Sequence, residues 1–347
     1  MEVSDASDSR LANLTQWVLE DLGFAGASIA PASADASFRR YFRVTQGADS
    51  YIVMDAPPDK EDSGPFLKVA RILGSLNLNV PIILARDMRR GFLLLSDLGS
   101  RQYLDALSLD GAADELYADA LKSLRTMQTA DAGISQGLPR YDRALLLREM
   151  ELLPEWFLIR HLGFTIEARE RAMLEELFES LAQAAVAQPA CFVHRDYHSR
   201  NLLVTSENNP GILDFQDAVW GPVTYDLASL LKDCYIAWPP ARVRQWVLEY
   251  RESLLEAGFK LDADAAQFLR WFDLVGLQRH IKVLGIFARL FYRDGKSQYL
   301  KDLPRVLAYT RDTALMYPET AAFAEFMRRI DDKFQAAQQR ALAKEPV

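Results

Sequence analysis

Residues Cys191–Val204 read CFVHRDYHSRNLLV, and Gly211–Phe215 read GILDF. Short apolar runs flank a crowd of polar side chains, so the segment predicts a strand, a polar loop and a hairpin made of NLLV and GILDF. His194 and His198 are spaced as in the zinc motif HExxH, but Arg195 stands where that motif carries its general base. The flanks read as strands, whereas the zinc motif needs a helix, and the chain has 4 histidines in all. The histidines therefore read as residues satisfied within a tight loop.

A different spacing carries the chemistry. Asn201 follows Asp196 by five residues, and Asp214 follows Asn201 by thirteen. H-x-D-x-x-x-x-N with an aspartate closing the next short strand is the pattern of a phosphoryl-transfer loop. An aspartate there orients an attacking hydroxyl and accepts its proton. An amide oxygen and a second carboxylate are hard ligands suited to Mg²⁺. The transferred group needs in-line placement and charge neutralisation rather than covalent help.

Outward from this loop the chain changes character. Leu11, Leu14, Val18 and Leu22 recur at helical spacing until Gly23. Phe38–Val44 and Tyr51–Met54 predict a hairpin around residues 46–50, and Pro65 opens a helix with Phe66, Val69, Leu73 and Leu76 on one face. Pro81–Ala85 and Gly91–Ser96 predict two further strands. The first hundred residues thus read as about five strands and an inserted helix. Beyond Leu98 and Gly99 helical stripes dominate, one of them (Leu146, Met150, Leu153, Phe157) kinked or restarted at Pro154. Residues 335–347 read as a solvated or fraying end. The expected division is a β-rich lobe over 1–96 and a helical lobe over 97–347, an α+β chain.

Half of the 347 residues are hydrophobic and a quarter charged, an ordinary globular composition. A net charge of −8 argues against general affinity for nucleic acid or anionic membrane, since both require a basic face. Cys191 and Cys234 are too few for a disulfide framework and suit a reducing compartment. The acidic start MEVSDASDSR lacks the basic-then-apolar order of a secretory signal, and no apolar run approaches the roughly 18–20 residues of a membrane span. The expectation is a cytoplasmic protein acting on small molecules, with no obligate protein partner evident.

FVHRDYHSRNLLV with GILDFQDAVWGPVTYDLASLL resembles the aminoglycoside phosphotransferase and choline-kinase branch of the protein-kinase-like fold. The resemblance implies a two-lobed fold and ATP with Mg²⁺ as cofactors. It implies Asp196 as catalytic base, Asn201 and Asp214 as metal holders, and His194 and Asp226 as braces of the loop. GFLLLSDLG resembles the hinge of that branch, which implies adenine bonding around Leu95, Asp97 and Leu98. SADASFRRYFRV, IVMDAPPD, EMELLPEWFL and LQRHIKVLGIFARLFYRDGKSQYL further resemble a bacterial subfamily of cell-wall recycling kinases. Those enzymes phosphorylate the anomeric hydroxyl of N-acetylmuramate and N-acetylglucosamine. The amino-sugar acceptor follows from that resemblance alone. Rival readings are a kinase of another small hydroxyl compound and a nucleotide-binding scaffold.

The sequence departs from the kinase pattern in its first lobe. YIVMDAPP places Met54 or Asp55 where the phosphate-holding lysine is expected, and PFLKVARILGSL lacks the partner glutamate. Residues 33–38, SADASF, stand in place of a glycine-rich loop. Ser33, Ser37 and Arg40 are the expected phosphate contacts, with Arg39 and Arg43 on the opposite face of the strand. For the sugar, Glu149 and Trp156 offer an acid and an aromatic platform. Arg279 and His280, with Lys282, interrupt an apolar helix and offer charge.

Overall fold

The computed structural model describes residues 2–34, 38–107, 113–131, 133–134 and 137–342. In chain order the elements begin with α1 (Glu2–Gln16), β1 (Ser28–Ala34), β2 (Arg40–Gln46), β3 (Asp49–Asp55), α2 (Gly64–Ser75), β4 (Ile83–Asp87) and β5 (Phe92–Ser96). Next come α3 (Tyr103–Leu107), α4 (Ala113–Gln128), α5 (Arg143–Met150), α6 (Ala168–Val186), β6 (Ala190–Val193), β7 (Leu202–Leu203), β8 (Gly211–Ile212) and β9 (Val219–Pro222). The chain ends with α7 (Tyr225–Leu231), α8 (Pro240–Glu256), α9 (Ala265–Tyr292), α10 (Leu303–Ala314), α11 (Ala321–Arg329) and α12 (Asp331–Leu342). Contacts divide it into one unit of Met1–Arg101 with Leu203–Asp217 and a second of Gln102–Leu202 with Ala218–Val347. The boundary falls after Arg101 rather than Ser96, and a piece of the β-rich insert joins the first unit.

The first unit is built on an antiparallel sheet in the order β1-β2-β3-β5-β4. Alternation along β2 puts Phe42 and Val44 on one face, where they meet Val53, Phe92 and Leu94 and receive Leu14, Trp17 and Val18 from the N-terminal helix. That helix widens into a π-type turn over Trp17–Asp21 before Gly23 reverses the chain in the left-handed region, φ +77°. Strand β1, SIAPASA, carries Pro31 at an irregularity in its register and has little of the β-branched signal of its neighbours. Gly91 is required where it stands: with φ +76°, a Cβ would lie 2.0 Å from the Ala56 carbonyl oxygen.

The second unit is helical apart from the pair β6 and β9. Helix α9 is its axis, with buried side chains around nearly its whole circumference from Phe268 to Leu290, as expected of a central helix. At Gly285 it runs against the Leu152 backbone so closely that a Cβ would sit 2.4 Å from the Leu152 carbonyl. Pro154 restarts the chain as a π-type turn over Leu153–His161. Up to Leu342 the C-terminal segment differs from expectation: α12 buries Phe334, Ala337 and Ala341 as an amphipathic helix, while residues 343–347 of the expected fraying end lie outside the described residues.

Candidate active site

Strand β6 ends at Val193, and the following loop is held by backbone donors rather than by its own side chains. Asp226, fully buried at the start of α7, accepts the N–H groups of His194 at 2.6 Å and Arg195 at 3.0 Å. Arg195 has φ +77°, a conformation costing a non-glycine residue about 1–3 kcal/mol, and these two bonds hold it there. Burial pushes the Asp226 carboxyl up to about 7 against the pull of the two N–H donors. Asp233 does the same for the loop's far end, accepting from Ser199 N and Tyr235 N at 2.9 Å each. His194 accepts the Asp196 N–H on Nδ1 at 3.3 Å, which keeps that nitrogen unprotonated. Asn201 Nδ2 donates to the Asp196 carbonyl at 3.0 Å, which ties the asparagine to the loop.

The Asp196 side chain sits in a positive field. Burial opposes its ionisation, but Lys282, the His198 ring, Arg279 and Arg195 outweigh it and hold the carboxyl below its usual value. Arg195 and Lys282 are themselves answered by Glu149. Glu149 forms ion pairs with Arg195 and, at 3.0 Å, with Lys282 Nζ, and accepts a hydrogen bond from the Tyr141 hydroxyl. Glu149, expected as a sugar contact, is the counter-charge of Arg195 and Lys282 beneath the loop that follows β6. Burial works against its charge as well, and the two cations hold its carboxyl low.

Two other expected sugar contacts fall elsewhere. His280 is fully buried, with Nε2 2.9 Å from the Lys232 carbonyl and its ring stacked on Tyr309 at 4.9 Å; burial lowers it to about 3. It is a neutral core histidine. Trp156 lies under the Arg160 guanidinium at 4.5 Å, in the turn that Pro154 restarts. Arg279 is buried beside Cys234.

In the first unit, Asp214 ends GILD in the left-handed region, φ +61°, and accepts from Gln216 Nε2 at 2.7 Å. Phe215 stacks on Phe66 of α2 at 4.9 Å, and Ile212 N donates to the Asn79 carbonyl at 2.8 Å, so the segment around Asp214 is fastened on both sides. Leu95 is buried in β5. The Asp97 carboxylate is turned to Arg43 Nε at 2.6 Å and Gly99 N at 2.9 Å, which fixes the chain around Leu98. Ser37 and the Ser33 side chain lie outside the described residues.

Arg40 is engaged within the first unit. It shares the sheet face of Phe42 and Val44, on which the N-terminal helix packs, and its Nε donates to Asp55 at 3.0 Å. Arg10 pairs with the other oxygen of the same buried carboxylate. Asp55, where a phosphate-holding lysine is expected, thus clamps α1 to the sheet. Arg39 and Arg43 occupy the opposite face, paired with Glu61 and Asp97. Arg40→Ala is expected to cost about 1–2 kcal/mol, read as a lowered Tm, while the apparent KM for ATP stays within about twofold of wild type. A large rise in that KM at unchanged Tm would return Arg40 to the phosphates.

Among the described residues no group of three or more His, Cys, Asp or Glu side chains is arranged for a metal ion. A nucleotide-borne Mg²⁺ does not require one, since it takes one or two protein oxygens and completes its shell with phosphate and water. The residues that sequence reasoning left out are Lys282 as partner of Glu149, Tyr141, and Asp233. Only Lys282 had a signal, as a charge inside an apolar helix.

A family model described as "Phosphotransferase enzyme family" matches residues 28–275. An N-acetylmuramate/N-acetylglucosamine kinase of Pseudomonas putida is 45% identical over 333 residues, covering 93% of this chain and 97% of that one. A protein of the same description from Pseudomonas aeruginosa is 48% identical over 311 residues, covering 89% and 90%. The fold is shared with an aminoglycoside 2'-phosphotransferase-IIIa in its GDP complex, at TM-score 0.60 and 17% identity over 86% of this chain and 98% of that chain. It is shared too with a choline/ethanolamine kinase family protein of Mesorhizobium loti, at TM-score 0.61 and 14% identity over 93% and 99%. The two-lobed α+β protein-kinase-like architecture follows from these likenesses.

Proposed function

The chain belongs to the phosphotransferase enzyme family, and from that premise we propose that it is an ATP-dependent kinase of N-acetylmuramate and N-acetylglucosamine. The anomeric hydroxyl is the acceptor and the sugar 1-phosphate the product. The observation that carries this reading is near-full-length similarity to kinases of those two sugars, together with Asp196 on a loop braced by Asp226 and Asp233.

Asp196 acts on the acceptor hydroxyl. Its carboxylate is ionised at neutral pH because Lys282, Arg279 and Arg195 surround it. It accepts the hydroxyl hydrogen, points the oxygen's lone pair at the γ-phosphorus and takes up the proton as the new bond forms. A carboxylate of low basicity suits a loose transition state in which the proton leaves late. Asn201 and Asp214 are the residues we assign to Mg²⁺, which supplies charge neutralisation at the phosphate oxygens when bound. His194 and Asp226 keep the loop in place and touch no reacting atom.

The test is ADP release with ATP, Mg²⁺ and a panel of hydroxyl compounds, followed by NMR of the product. Release with the two amino sugars and phosphate on C1 is the expected result. Release only with an aminoglycoside or choline would move the acceptor assignment. No release above background with any compound would leave a nucleotide-binding scaffold.

A further inference from the structure

Among the described residues Arg279 is a buried cation that forms no ion pair with a carboxylate. Of the buried lysines and arginines described in the second unit, Lys232 pairs with Asp273 at 2.9 Å and Lys282 with Glu149 at 3.0 Å. Among the described residues Arg279, 4% exposed, has Cys234 Sγ as its hydrogen-bond partner, 3.7 Å from Nη1. A thiol is a weak acceptor, and burial keeps this one protonated, pushing it up to about 11. Asp233, the carboxylate on the same segment as Cys234, is already occupied by the N–H groups of Ser199 and Tyr235. No Arg279 nitrogen is among the fully buried unpartnered atoms, so the donors that Cys234 leaves unfilled keep contact with solvent and are open to a ligand.

Its position says which side of the reaction that ligand belongs to. Arg279 and Lys282 lie three residues apart on α9, hence on one side of the helix, and both act electrostatically on Asp196. Asp196 addresses the acceptor, so Arg279 lines the surroundings of the acceptor. Lys282 is spent on Glu149, whereas the planar fork of Arg279 keeps donors suited to bidentate binding of an oxyanion.

We propose that Arg279 is the subsite for the acceptor's carboxylate, the group that N-acetylmuramate carries on its lactyl ether and N-acetylglucosamine lacks. The inference rests on the proposed sugar-kinase function and adds a residue that distinguishes its two substrates. An oxyanion at this guanidinium has a second source, the phosphoryl group in transfer, and the experiment separates the two.

The measurement is kcat/KM for N-acetylmuramate, its methyl ester and N-acetylglucosamine, with the wild-type chain and with Arg279→Met. The wild type is expected to use the ester about 100-fold less well than the acid. Arg279→Met is expected to lower kcat/KM for the acid, through KM, about 100-fold more than it lowers that for N-acetylglucosamine or the ester, any weakening of the field at Asp196 being common to all three. Equal losses on both sugars would assign the guanidinium to the phosphoryl oxygens and overturn the proposal. So would a wild type that treats acid and ester alike, a comparison that decides the matter even where Arg279→Met fails to fold. A wild type that turns over neither sugar fails at the proposed function itself, and the inference falls with it.

Discussion

Asp196→Asn is expected to lower kcat by about 10³-fold with little change in Tm or in nucleotide affinity. The loop that carries Asp196 is held by Asp226 at His194 and Arg195 and by Asp233 at Ser199, not by the Asp196 side chain. Asparagine keeps the size of the group, so those anchors survive. What disappears is the acceptor for the hydroxyl proton and the negative charge that orients the nucleophile among Lys282, Arg279 and Arg195. The loss should fall on kcat more than on KM for ATP, because Asp196 acts on the acceptor. Single-turnover ADP formation and calorimetric titration with the nucleotide separate the two parameters. Turnover within tenfold of wild type would remove Asp196 from the catalytic role. Since surrounding cations hold the carboxyl below its ordinary value, its protonation takes no toll on the wild-type rate at neutral pH.

The segment we assign to catalysis stands out in the sequence because the chemistry it suggests is written in spacing. Asp196, Asn201 and Asp214 are polar residues at fixed intervals between short apolar strands, and few folds require that combination. The β2–β3 hairpin was legible for a similar local reason. Arg40 shows the limit. Alternation says that Arg40 and Arg39 face opposite ways, but which face is covered depends on α1 arriving from more than twenty residues upstream. The arginine expected at phosphate shares Asp55 with Arg10 of that helix. The charges on α9 posed the same difficulty. Arg279 and Lys282 have the composition of a wet helix face, yet both are buried. The burial of Lys282 is compensated by Glu149, 133 positions upstream, a pairing that no local pattern encodes.

Glu149 is accordingly the position where one substitution should cost the most stability. Its carboxylate answers Arg195 and Lys282 together and accepts from Tyr141, at 7% exposure. Glu149→Ala leaves both cations without their counter-charge, and breaking a buried pair in this way costs about 3–5 kcal/mol. Glu149→Gln keeps the volume and one acceptor, so it should lose less stability and still lose activity, because Arg195 is the neighbour of Asp196 and loses its anchor. Coupling gives a sharper criterion. Lys282→Met in the Glu149→Gln background removes one of the two stranded charges and should recover part of the lost stability, where independent sites would only add their losses. The pH dependence has a defined sign. The folded carboxyl of Glu149 is depressed below its ordinary 4.5, so its contribution is present above that value and is lost as pH falls through the folded value. Urea unfolding at pH 7 should therefore separate wild type from Glu149→Gln widely, and the gap should narrow as the solution is made strongly acidic. An unchanged urea midpoint at pH 7, or a gap that widens on acidification, would mean that Arg195 and Lys282 find their counter-charge elsewhere.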